Sequence, residues 1–216
     1  AYQLKESNNV IALGVNSAYQ ASGLSTVLAL GDHSTAASSG LALSDLIGYH
    51  SASGSFDLYR TLGVGDHTAA EASGLTNTVA LGQSAARYAE TLDNVVALGR
   101  FAALSGLELE RTVALGALAA SSASGSFNFY SGQDAGIAVS GHENIEIVAS
   151  GTNTSFLTHE ASGKINIGSV IVGDIYSSRV AVGKPDDASP SGTLFIRPKD
   201  ADELALVVQH QGSGSS

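Results

Sequence analysis

Three histidines, His33, His50 and His67, stand 17 residues apart, each two places after a glycine. Asp32, Tyr49 and Asp66 directly precede them. If the chain coils once per 17 residues, the three rings form a ladder along one edge, at the roughly 4.8 Å spacing of hydrogen-bonded strands. Imidazoles that close can share a metal ion, above all where three ladders meet in a trimer, with the neighbouring Asp carboxylates orienting the rings. The plainer chemistry is a polar turn open to water, since histidine solvates and titrates readily. A third reading is a binding groove for glycan. His33, Tyr49, His50 and His67 are thus the ligand-binding candidates, the three histidines are the weak metal candidates, and no cofactor is expected.

Two other groups bear on chemistry. The segment Ser51-Ala52-Ser53-Gly54-Ser55-Phe56-Asp57-Leu58-Tyr59 recurs as Ser122-Ala123-Ser124-Gly125-Ser126-Phe127-Asn128-Phe129-Tyr130. Its Phe is expected to pack over a coil while Tyr59 and Tyr130 reach outward, where exposed aromatics can stack on sugars; burial is the commoner fate of Phe. Glu108/Glu110 and Asp186/Asp187 are acid pairs of the kind that polysaccharide-cleaving fibres employ, although adjacent acids are ordinarily solvated surface. Phosphate-loop, dinucleotide, HExxH and GxSxG signatures are missing. So is the hexapeptide period of solenoid acyltransferases. The chain is not expected to be an enzyme.

What positions these residues is a repeat. Gly14, Gly31, Gly48, Gly65, Gly82, Gly99 and Gly116 follow one another at steps of 17. Before them stand runs such as Val10-Ile11-Ala12-Leu13, Val27-Leu28-Ala29-Leu30 and Val95-Val96-Ala97-Leu98. After them come small pairs, from Ser17-Ala18, Ser34-Thr35, Ser51-Ala52 and Thr68-Ala69 to Ala85-Ala86, Ala102-Ala103 and Ala119-Ala120. A helical repeat needs about twice this period. Short β-branched runs stopped by glycine read as strands instead. The fold class is therefore all-β, a parallel β-solenoid or β-roll of 17-residue coils in an intertwined homotrimer, followed by a smaller β region. Seven coils span on the order of 34 Å.

Strand alternation assigns the faces. Val79 and Leu81 point one way and are expected to fill the coil. Ala12, Ala29, Ala80, Ala97 and Ala114 point the other, and a column of alanine on an outer face predicts close packing by another chain of the trimer. The absence of proline before Pro185 fits a continuous ladder; Pro190 and Pro198 are the only others.

Composition agrees. The 216 residues are 44% hydrophobic but only 6% aromatic, with 25 Gly and no Trp, Met or Cys. Side chains so small fill a thin core, not a wide one. The formal net charge is −10, without a basic run, which excludes nucleic acid or an anionic membrane as a partner. No apolar run reaches spanning length, so membrane insertion is not expected. A start at Ala1-Tyr2-Gln3 predicts a processed product or fragment.

The repeat is placed at residues 1–131. A second β region is expected over 132–211, with strands near 136–139, 144–148, 164–173, 193–197 and 203–209. Residues 212–216, Gly-Ser-Gly-Ser-Ser, read as a flexible tail.

The segments 8–23, 25–40 and 77–89 resemble the head repeats of trimeric autotransporter adhesins and related repeats of bacteriophage tail fibres. Residues 180–196 are similar to a strand, proline loop and strand found late in many phage fibres. The resemblance implies a homotrimeric parallel β-roll on a virion tail fibre or bacterial cell surface, hence extracellular. It implies a rigid surface for attachment to a host or target cell, the partner being a surface glycan or another receptor. The alternatives are a purely structural shaft or spacer and a polysaccharide-acting fibre enzyme.

Overall fold

In the computed structural model, the described residues lie within 5–182 and 194–196; within the first span, residues 7, 18–19, 21, 35–38, 52–55, 69–72, 75, 89–92, 106, 149–156, 158–159 and 169–170 are not described. The expected acid pair Asp186/Asp187, the three prolines, the strand at 203–209 and the tail at 212–216 lie outside the described residues.

The described residues are all-β, without a helix. In chain order the strands are β1 (Val10–Leu13), β2 (Val27–Leu30), β3 (Ser39–Ala42), β4 (Ser44–Ile47), β5 (Asp57–Tyr59), β6 (Leu62–Val64), β7 (Val79–Leu81), β8 (Val96–Leu98) and β9 (Leu107–Glu110). There follow β10 (Val113–Leu115), β11 (Ser124–Ser126), β12 (Phe129–Ser131), β13 (Ile145–Ile147), β14 (Lys164–Ile167), β15 (Ile171–Asp174), β16 (Arg179–Val182) and β17 (Leu194–Ile196). One strand per coil joins a sheet of order β1-β2-β4-β6-β7-β8-β10-β12-β13-β14-β15-β16-β17. Pairing is parallel and in register from β1 to β14, as in Val79↔Val96 and Val96↔Val113. The chain is thus a β-solenoid of 17-residue coils, as the repeat predicts.

The boundary drawn at residue 131 marks a change of period and not a break in the sheet. Val113 pairs with Phe129 and Phe129 with Ile145, steps of 16, and Ile145 then pairs with Ile165, a step of 20. Only beyond β14 does the sheet turn antiparallel, through β15 and β16.

The two faces are the reverse of the expected ones. Ala29, Ala80, Ala97 and Ala114 are wholly buried inside their own chain, and Ala12 is half-buried at the end coil. The Val and Leu residues beside them point out, reaching 57% exposure at Ile11 and 64% at Leu13. The alanine column is therefore lumen and not a trimer-packing face. The reason is width. Each strand is backed directly by the small residues after the glycine, with Ala85, Ala102 and Ala119 also fully buried, and where two alanines face each other little more than their methyl groups fits between. Where Leu46 intrudes into the alanine column, the next coil answers with Gly63, whose Cβ would stand 3.1 Å from Leu46 Cδ2.

Serine holds the earlier coils together. Ser17, Ser34 and Ser51, all buried, donate Oγ–H to the carbonyls of Gly31, Gly48 and Gly65 one coil on, at 3.0, 2.8 and 3.0 Å. Thr68 does the same to Gly82 at 3.4 Å. The register glycines bring the backbones close: φ is +135° at Gly99, and a Cβ there would stand 2.5 Å from the Gly116 carbonyl oxygen. They serve as points of backbone contact between coils, beyond the turn role the sequence suggests.

Candidate functional site

The turn after each glycine sets the histidine ladder. The second residue after it has positive φ all along the rod, at Asn16, His33, His50, His67, Ser84, Phe101, Leu118 and Asp134. A left-handed conformation costs a non-glycine residue about 1–2 kcal/mol and is least unfavourable for Asn, Asp and His. Five of these eight positions carry one of those types, so the backbone favours histidine here, although Ser84, Phe101 and Leu118 take the same conformation. The cost is offset by hydrogen bonds between coils, from His33 N to Val15 O at 2.9 Å, His50 N to Asp32 O at 3.1 Å and His67 N to Tyr49 O at 2.8 Å.

The structure brings His33, His50, His67 and Tyr49 together. The imidazole centroids are 4.9 Å apart between His33 and His50 and 5.0 Å between His50 and His67, close to the spacing expected from the strands. Tyr49 meets all three edge-on, with its ring centre 4.0 Å from that of His50. At the lower end, Asn16 Nδ2 lies 3.3 Å from His33 Nε2, and the Asp32 carboxylate accepts from Val15 N at 2.9 Å. Nδ1 of His33 and of His50 is buried with no hydrogen-bond partner among the described residues. Rings stacked in this way carry their nitrogen lone pairs side by side instead of converging on a point. Among the described residues no group of three His, Cys, Asp or Glu is placed to hold a metal ion.

Burial lowers the pKa of His50 below the ordinary 6.5, and the positive charges that His33 and His67 acquire lower it further. The folded chain therefore binds the His50 proton less readily than the unfolded chain. The stability tied to the neutral ring is complete above pH 6.5 and is lost progressively as the pH falls below 6.5 towards the folded-state value. We expect melting temperature to decline between pH 7 and pH 5, and His50→Asn, which tolerates the left-handed backbone, to flatten that decline.

The aromatic duplication does not produce two equivalent sites. Tyr59 is 43% exposed, with the Arg60 guanidinium 5.1 Å from its ring centre. Phe56 and Phe127 face outward and do not pack over a coil. Tyr130 is wholly buried, contrary to its expected outward place and ligand-binding role. The reason is register: Tyr130 pairs with Ala114 and so occupies the lumen column. Burial raises its phenol pKa well above the ordinary range, a shift that the Asn144 side chain opposes and the Glu146 carboxylate adds to.

Glu108 and Glu110, on β9, line a cleft of about 520 Å³ with Ser126, His142, Glu160 and Ser162. Ser126 N donates to His142 Nδ1 at 3.0 Å, and Glu110 also pairs with Arg111 at 2.8 Å. The sequence reading missed His142 and Glu160, which only coil stacking brings to β9. It also missed Glu146, fully buried at the centre of β13. Glu146 accepts from Gly136 N at 2.6 Å and from Asn166 Nδ2 at 2.9 Å, the partners a buried carboxyl requires. Below it, Asn128 and Asn144 bond backbone groups of the following coils: Asn128 Nδ2 to Gly141 O at 2.8 Å and Asn144 Nδ2 to Ala161 O at 2.6 Å. The signal was available in the pairing column, where Tyr130, Glu146 and Asn166 succeed alanine. Compared with protein-family models, with curated proteins and with solved structures, the chain matches none.

Proposed function

We propose that this chain is one strand of a homotrimeric β-solenoid fibre on a virion or bacterial surface, presenting a rigid face for attachment to a target cell through a surface glycan. The observation that carries the assembly is the outward stripe of the main sheet. Two columns of side chains run its length, from Ile11 and Leu13 through Leu28 and Leu30, Val79 and Leu81, Val96 and Leu98, to Ile145 and Ile147. Within β1 to β14, Asp45 and Ser131 interrupt them. Ten strands in succession make a stripe about 43 Å long. Monomeric proteins rarely expose continuous apolar strips of that kind. A straight stripe as long as the rod is matched end to end by a rod of equal length, which a second and a third copy supply; the resemblance to trimeric head repeats gives the number three. Trimer packing thus moves from the alanine column to the Val/Leu stripe.

Attachment is supported by rigid display of exposed rings: Tyr49, Tyr59, Tyr88 and Phe127 are all more than 40% exposed. Three weak sites held at fixed spacing bind cooperatively with a multivalent surface.

Mass in solution is the test. The chain of 21.8 kDa should sediment as a trimer, and Leu81→Lys with Leu98→Lys should yield folded monomer. A wild-type monomer sinks the proposal. A trimer that binds no cells, glycosylated or stripped of glycan, leaves the shaft reading in its place.

A further inference from the structure

The ladder of His33, His50 and His67 repeats every 4.9 to 5.0 Å along the rod, which is close to the advance per residue of an extended, equatorially linked polysaccharide. We propose that this edge of the solenoid binds an uncharged, hydroxyl-rich polysaccharide lying parallel to the fibre axis, with one sugar residue per coil. The proposal rests on the attachment reading above and gives it a place, an orientation and a charge class.

Three features of the edge carry it. With Nδ1 turned inward at His33 and His50, Nε2 is the ring nitrogen left to bond: at His50 it is left for a ligand, while at His33 it already meets the Asn16 amide at 3.3 Å, so a ligand there competes with Asn16 or bonds its amide instead. A neutral imidazole can accept from one hydroxyl or donate to another, according to tautomer. Tyr49, 45% exposed, stands beside the middle rung and offers an aromatic surface to the C–H face of a pyranose. Asp32 and Asp66 occupy the same turn position as Tyr49 one coil below and one coil above, both exposed. Their carboxylates accept from sugar hydroxyls on either side of the ring. The same two carboxylates, on a chain of net charge −10, repel an anionic polysaccharide. Because the rings are fixed by a backbone hydrogen-bonded coil to coil, the edge is preorganised, and little side-chain freedom is lost on binding.

The test uses the full chain at pH 7.5 on an array of linear glycans, neutral and anionic, graded in length from two to six residues. Binding should favour neutral, equatorially linked chains, strengthen up to three residues, one for each rung, and level off beyond. His50→Asn, which keeps the left-handed turn, and Tyr49→Ala should each weaken binding about tenfold in titration calorimetry while still folding. A melting curve of each variant with one cooperative transition establishes that the rod is intact. If the chain binds glycans and both variants bind them equally well, the ladder proposal is overturned and attachment stands. A preference for anionic chains overturns it too. If no glycan binds, both readings fall together.

Discussion

Gly99→Ala should destabilise the rod by on the order of 4 kcal/mol. The φ of +135° at Gly99 is one that side-chain-bearing residues rarely adopt, and the added methyl would stand 2.5 Å from the Gly116 carbonyl oxygen and 2.7 Å from its carbon. Neither atom can yield, because each belongs to a coil that is itself stacked on the next. Relief requires the two coils to separate, which breaks the bond from Gly116 N to Leu98 O at 2.8 Å. Gly168→Ala is the control. It too has positive φ, but its Cβ meets nothing within 4 Å, so only the backbone cost of about 1 kcal/mol applies. Denaturant melts of the two variants measure the difference. Equal losses would show that coil contact at the glycine contributes nothing.

The second large effect is a pair. Gly136→Ala alone should cost several kcal/mol, because the new methyl would overlap the ring of Tyr130. Tyr130→Ala alone should cost about 3–5 kcal/mol by emptying the lumen there. Together they should cost markedly less than the sum. The reason lies one coil below: Ala114 and Ala120 hold the same two positions, both fully buried, and pack without strain. The double variant copies that coil. Additive losses in a double-mutant cycle would rule out the steric coupling.

The period and the strands were legible because each coil repeats the same register, and glycine marks every closure. The faces were not. Ranking Val and Leu above Ala by hydrophobicity put the larger residues inside, although the scarcity of bulky side chains already implied a lumen too narrow for them. Width decided, and hydrophobicity followed it. The histidine spacing was likewise plain, but its backbone cause was hidden: positive φ at Asn16, His33, His50 and His67 is a conformational demand that identity alone does not display. Tyr130 and Glu146 were misread or missed because the coil shortens from 17 to 16 residues just before them, which shifts every later side chain relative to the earlier count. The cleft of Glu108, Glu110, His142 and Glu160 gathers residues more than 50 positions apart.

The replacement of alanine by Tyr130, Glu146 and Asn166 in the lumen has a consequence for assembly order. Earlier coils, with Ala80, Ala97 and Ala114 in one column, are nearly interchangeable, and a growing stack of them has no way to tell one rung from its neighbour. A slip by a whole coil would preserve most strand pairs. The tyrosine is matched by Gly136 of its own coil, whereas the Glu146 carboxyl takes Gly136 N from the coil before it and Asn166 from the coil after it, so that rung accepts only its own neighbours. It acts as a datum from which the remaining coils are counted.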